Sequence, residues 1–174
     1  ALFIAGTMDT PMKRYDLLQA INTRAPFMMA QLCSPHLAKA ENPHILNISP
    51  PLNLDPKWFG NHLAYTISKY GMSMCVLGMA EEFKGQGIAA NALWPKTAVA
   101  TAAVRNLLGG DEAIRRCRKP EIVSDAAHVI LCRDAGTCSG NFFVDEEVLA
   151  AEGVADFESY AVAPGTDLFP DVFL

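Results

Sequence analysis

The chain has 174 residues, 51% of them hydrophobic, which is long and apolar enough for one domain with a packed core and argues against disorder. Fourteen Lys and Arg against nineteen Asp and Glu give a net charge of −5, so a nucleic-acid partner, which needs a basic field, is not expected. No run approaches the ~18 uncharged apolar residues of a membrane span, and no basic segment leads into a long apolar one at the start; no membrane partner is expected, and a cytoplasmic setting is the default. The five cysteines (Cys33, Cys75, Cys117, Cys132, Cys138) are odd in number and show no CxxC spacing, which predicts free thiols in a reducing compartment and no metal site.

The chain opens on an apolar stretch, "ALFIAG", without an initiating Met, as a processed or truncated N-terminus would. From Asp9, "DTPMKRYDLLQAINTRAPFMMAQLCSPHLAKA" carries apolar residues at helical spacing (Leu17, Leu18, Ile21, Met28, Met29, Leu32), with Thr10 and Pro11 fitting a helix start and Pro26 bending the helix rather than ending it. "HILNIS" then reads as a short buried strand that Pro50 and Pro51 end. Leu63 to Phe83 returns to the helical period, and "KGQG" from Lys84 supplies a basic last turn and a glycine stop.

"IAANALW" is a second buried strand, closed by Pro95. An alanine-rich helical segment follows, then the polar "GGDEAIRRCRKPE", a loop with a short charged helix. "EIVSDAAHVILCR" is an amphipathic helix, and "GNFFVDEE" a third strand with aromatic and β-branched character. From Ala151 to Leu174, spaced aromatics (Phe157, Tyr160, Phe169, Phe173) without a clean period predict an irregular tail on the domain surface. Helix and strand alternate throughout, which predicts an α/β fold with a parallel sheet, and no repeat or linker divides residues 1–174.

Within "YTISKYG", Tyr65 lies four residues ahead of Lys69, and positions four apart share a helix face. A phenol is a poor base at neutral pH, but a neighbouring ammonium favours its phenolate, so the pair can supply a proton donor or acceptor near working pH. A Tyr-x-x-x-Lys match alone is weak, because both residue types are common. Its surroundings strengthen it: a strand ending at Ser49 precedes it, and a strand with a Pro-Lys-Thr loop follows it.

In that order of elements, and in segments such as "HILNISPPLNLDP" and "YTISKYGMSMCVLGMAEEFKGQGIAANALWPKTA", the chain resembles the catalytic half of the short-chain dehydrogenase/reductase family from about Thr7 to Leu174. The resemblance implies the C-terminal part of a Rossmann-type doubly wound parallel sheet, making residues 1–174 one partial domain. It also implies an NAD(P)-dependent oxidoreductase interconverting a small-molecule alcohol and a carbonyl. Tyr65 matches the proton donor and acceptor. Lys69 matches the lysine that binds the nicotinamide ribose, and Asn22 the asparagine that holds a relay water. Pro95, Lys96 and Thr97 match the loop covering the nicotinamide, with Pro95 and Thr97 as cofactor contacts.

Three departures stand out from the family pattern. Pro50 occupies the place of a second serine, leaving Ser49 to orient a substrate carbonyl. Lys96 stands at the usual glycine of the covering loop, and "DEE" from Asp145 replaces a frequent "DGG". The largest departure is the glycine-rich turn that cradles a dinucleotide pyrophosphate, found nowhere among these residues. It implies that the first βαβαβ half, including the residue choosing NAD or NADP, lies outside this chain. The rival reading is therefore a non-catalytic fragment or interaction module of the same fold. Without a covering strand, "HILNIS" is expected to expose a sheet edge, leaving the chain marginally stable and prone to associate.

For the other residues the expectations are plainer. His44 and His128 are expected as structural residues and His62 at a loop surface near Tyr65, with no pair at metal-ligand spacing. Met72, Met74 and Met79 fit a helix packing against a neighbour. In the family that helix forms a four-helix dimer interface, which implies a homo-oligomer; organellar members imply a peroxisomal or mitochondrial alternative. "RRCRK" from Arg115 reads as a solvated charge run, and nothing but nearby positive charge favours Cys117 as a nucleophile.

Overall fold

A computed structural model describes residues 1–174. In chain order it contains α1 (Met12–Leu18), a π-helical turn (Gln19–Arg24), α2 (Ala25–Leu37), β1 (His44–Ile48), α3 (Leu63–Glu82), β2 (Ala89–Trp94), α4 (Ala102–Leu107), α5 (Gly110–Arg115), α6 (Glu121–Cys132), β3 (Phe142–Val144) and α7 (Asp145–Ala151), with short 3-10 turns between. The strands form one parallel sheet in the order β1-β2-β3, so the chain crosses between neighbours through helices, as parallel pairing requires. β2 is buried along its whole length, while β1 stands at the sheet edge and is only partly covered.

The chain divides into two compact units: Ala1–Ala92 with Arg133–Phe142 and Phe173, and Leu93–Cys132 with Phe143–Val172 and Leu174. In the first, Ala30, Met79, Phe83, Ile88 and Ala90 form a buried cluster. Asn91, fully buried in the same unit, bonds through Nδ2 to the Cys138 carbonyl oxygen (2.7 Å) and through Oδ1 to the Asn141 amide (3.0 Å). In the second unit Val104, Ala113 and Cys117 form the core. Ile122, Ala126 and Ile130, four residues apart on α6, are fully buried.

The long N-terminal helix runs on past Pro26, as expected, through a π turn in place of regular α geometry. The π turn lies just before Pro26, which occupies the first turn of α2, where its missing N–H does no harm. Pro35, later in α2, is accommodated inside the helix. The "DEE" expected at the end of the third strand instead opens α7. Three acidic residues in its first turn complement the positive end of the helix.

The tail does not simply cover the surface. Phe173 is 1% exposed, and its backbone φ of 79° is the sole positive value at a non-glycine. Its ring meets Tyr70 at 5.2 Å, Trp58 at 5.8 Å, His62 at 6.0 Å and Tyr65 at 6.2 Å between centroids. A left-handed phenylalanine costs about 1–3 kcal/mol, which several ring pairs at roughly 0.5–1.5 kcal/mol each offset.

α3 approaches the π turn closely at Gly71, where a Cβ would lie 2.7 Å from both Cγ2 and Oγ1 of Thr23. The Thr23 hydroxyl donates to the Ser68 carbonyl oxygen at 3.0 Å, so it has little freedom to retreat. Gly71→Ala is expected to destabilise the chain by about 1–3 kcal/mol in urea unfolding, and adding Thr23→Ala should recover part of that. A Gly71→Ala midpoint equal to wild type would show that the approach is looser than described.

Candidate active site

Helix α3 carries a buried polar row along the side it turns to the segment between β1 and the helix. Thr66, Lys69, Tyr70 and Ser73 on that side are all buried, as is Ser68 on the side facing the π turn, so each polar end must find a partner or suffer the desolvation penalty. The carbonyl of Ile48, the last residue of β1, and carbonyls of that segment supply most of them: Thr66 donates to Trp58 (2.5 Å), Lys69 to Ile48 (2.6 Å), Tyr70 to Asn53 (2.5 Å) and Ser73 to Pro50 (2.6 Å). A connection free of strand pairing keeps these acceptors available, and three prolines within it (Pro50, Pro51, Pro56) remove competing donors.

Tyr65 and Lys69, both 8% exposed, sit on this row one turn apart. The Lys69 ammonium is fixed by the carbonyl of the last β1 residue, directly before Ser49. Asn22, 3% exposed in the π turn, donates to Ser68 Oγ at 3.0 Å, and Ser68 Oγ donates to the Tyr65 carbonyl oxygen at 2.7 Å. The Asn22 amide also meets the backbone of Ala1, at 2.6 Å and 2.9 Å. Ser49 is fully buried, and its hydroxyl has no hydrogen-bond partner. Tyr65, Lys69, Asn22 and Ser49 thus all fall in the first unit and, through α3, the π turn and the end of β1, into one neighbourhood.

Pro95 and Thr97 belong to the second unit. Pro95 is buried, and Thr97 pairs with Pro170 in an antiparallel bridge while its own Oγ1 is buried without a partner. Lys96 is tied down: its N–H donates to Asp145 Oδ1 (2.9 Å), and its ammonium pairs with Glu146 Oε2 (2.6 Å). Glu146 also pairs with Arg118. Burial raises the pKa of the Asp145 carboxyl, against the two backbone N–H groups of Lys96 and Glu146 that it accepts.

Several expectations change here. His62 is buried, not at a loop surface, with its ring 6.3 Å from that of Tyr65 and edge-on to it. His128 lies exposed on α6 beside Cys132, whereas His44 meets the Arg133 carbonyl oxygen at 3.0 Å. Met72 and Met79 are buried, but Met74 is 58% exposed. The "RRCRK" run is only partly solvated: Arg115 and Lys119 are exposed, but Arg118 is buried against Glu146, and Arg116 lies over the Phe169 ring at 3.7 Å. Cys117 is fully buried; desolvation, with Asp171 nearby, pushes its thiol pKa up, the reverse of nucleophile activation. All five cysteines are free, and no group of His, Cys, Asp and Glu is placed to hold a metal. No helix is long and apolar enough to cross a membrane.

Residues 3–143 match a family model described as enoyl-(acyl carrier protein) reductase, of the short-chain dehydrogenase type. The whole chain is 58% identical to hydroxysteroid dehydrogenase-like protein 2 of Danio rerio, spanning 41% of that protein's length. It superimposes on a short-chain dehydrogenase from Mycobacterium thermoresistibile with a TM-score of 0.92 and 46% identity, covering all of this chain and 61% of that one. The fold recurs at 19% identity in a 4-hydroxyisoleucine dehydrogenase complexed with NADH, with a TM-score of 0.65 over 83% of this chain and 63% of that one.

The hydrogen-bond chain at His62 has a pH signature. The one proton of the Thr66 hydroxyl goes to the Trp58 carbonyl, so His62 Nδ1 donates to Thr66 Oγ1 at 2.9 Å. Burial holds the imidazole below its ordinary pKa, partly opposed by a hydrogen bond to its own backbone. An unfolded histidine titrates near ~6.5. Below that pH the unfolded chain binds the extra proton before the folded one, so stability is complete above the unfolded pKa and falls as the solution is acidified through it. Between about pH 7.5 and about pH 5.5 the wild-type Tm should fall further than that of His62→Gln. Equal falls would remove His62 as the source.

Proposed function

The chain belongs to the short-chain dehydrogenase/reductase family, an oxidoreductase family, and on that premise we propose that it serves an NAD(P)-dependent interconversion of a small-molecule alcohol and a carbonyl. The observation that carries this reading is the buried α3 row, in which Tyr65 and Lys69 share a face and the Lys69 ammonium is held by the Ile48 carbonyl.

In this reading Tyr65 Oη donates a proton to the carbonyl oxygen as it is reduced and removes the hydroxyl proton in the reverse direction. The fixed charge of Lys69 favours the phenolate that remains after donation. Asn22, bonded to Ser68 at the start of the same turn, orders the relay that returns a proton to Tyr65. Ser49, buried with an unused hydroxyl, is suited to donate to the substrate oxygen and polarise it, the part a second serine would otherwise share.

In the first unit the residues present fit the ribose of a nicotinamide nucleotide, with Tyr65 offering a hydroxyl and Lys69 an ammonium; in the second unit, taken by itself, Thr97 Oγ1 is a buried polar atom without a partner. A bound nicotinamide supplies or accepts the hydride. Apolar side chains exposed along α3, Ile67, Met74 and Leu77, give a second copy a surface to cover in a homo-oligomer.

A second reading, a non-catalytic module that keeps the shape without holding the cofactor, draws on a specific observation. None of the twelve glycines forms a phosphate-cradling turn behind a strand, and the chain spans 41% of its Danio relative. Titration with NADH and with NADPH, followed through Trp58 and Trp94 emission, separates the two: saturable quenching favours the enzyme, and none from a folded sample favours the module. Where turnover is measurable, Tyr65→Phe should lower kcat by about 10²–10⁴-fold with an unchanged melt; undiminished turnover would remove Tyr65 from the chemistry.

A further inference from the structure

The segment Pro95–Thr97 is held through Lys96 at three places. Its N–H donates to Asp145 Oδ1 (2.9 Å), its carbonyl oxygen accepts from the Asp171 N–H (3.1 Å), and its ammonium pairs with Glu146 Oε2 (2.6 Å). Glu146, with 13% of its side chain exposed, turns its other oxygen to Arg118, whose side chain is 10% exposed. One carboxylate therefore bridges two cations: the covered Arg118 pair is screened far less than one on an open surface, while the Lys96 side chain, 55% exposed, reaches in from solvent. Arg118 is anchored in turn by its backbone, donating to the Ala98 carbonyl oxygen (2.9 Å) and accepting from the Ala100 N–H (2.8 Å). The contacts form a closed loop: Lys96 to Glu146, Glu146 to Arg118, Arg118 to Ala98 and Ala100, and along the chain back to Lys96.

This loop encloses Thr97, whose hydroxyl is buried and unpartnered. Lys96 and Glu146 also occupy two positions singled out in the sequence as unusual charges where glycine is common, and they pair with each other.

We propose that Glu146 is a positioning residue which, by bridging Lys96 and Arg118, locks the Pro95–Thr97 segment and sets how tightly a nicotinamide dinucleotide is held through Thr97. The dinucleotide part rests on the function proposed above; the locking part does not.

The test uses the chain with Glu146→Gln, Lys96→Met and Lys96→Arg, none of which alters a group placed in the chemistry. Amide hydrogen exchange reads the lock directly. Glu146→Gln and Lys96→Met should each speed exchange at Lys96, Ala98 and Ala100 by about tenfold or more, with little change at Ala90 and Ala92 in β2, and Lys96→Arg should stay near wild type. NADH titration should show Kd raised about tenfold by the first two variants alone. Exchange that is unchanged, or that rises equally in β2, overturns the lock. A loosened segment with an unaltered Kd overturns the positioning role. Failure of the wild-type chain to bind NADH overturns the cofactor reading and the dinucleotide part together, while exchange still decides the lock.

Discussion

The most demanding constraint in this molecule is that α3 buries hydroxyls and an ammonium along the same side on which it packs. Five polar side chains leave water there, and unpaired each would cost about 1–3 kcal/mol or more. The carbonyls of Ile48, Pro50, Asn53 and Trp58 answer four of them, with Ser68 donating instead to the Tyr65 carbonyl, and they can do so only while no backbone donor claims them first. The irregular connection is thus as much a part of the fold as the helix. Tyr65 and Lys69 inherit their placement from it: the helix cannot rotate without breaking several short bonds at once.

Two different kinds of burial follow. Around Phe173, four rings enclose a fifth, and the order comes from aromatic shape and area. Around Glu146, at the start of α7, a covered arginine and a half-exposed lysine share one carboxylate, and the order comes from charge pairing. The first lies beside Tyr65; the second ties down the segment that follows β2. Asn91 is a smaller case, a side-chain amide inside β2 that does the work of a backbone partner for the turn at Cys138 to Asn141.

Much of this was legible in the sequence. Period and punctuation located the three strands and the long helices, because apolar spacing, prolines and the Lys84–Gly87 stop act locally. The Tyr65 and Lys69 face was readable from spacing alone. What escaped were features decided by distant residues. His62 looks like a loop histidine until Phe173, more than a hundred positions away, closes over it. Arg118 looks solvated until Glu146 is brought to it, and "DEE" looks like the end of a strand although its charges suit a helix start equally well. The π turn leaves no mark in apolar spacing; its nearest clue is Pro26, directly after it.

That π turn has a further consequence. It fits one more residue into the helix than an α turn of the same rise would, and each residue added to or taken from a helix rotates what precedes it by about 100°. Substitutions within Gln19–Arg24 leave the phase of α1 as it is, whereas losing a single residue there would turn Leu18, now buried, toward another side and pull Asn22 off Ser68. Apart from Asn22 and Thr23, whose side chains are held by α3, this stretch should therefore drift in residue type among related chains and hardly at all in length.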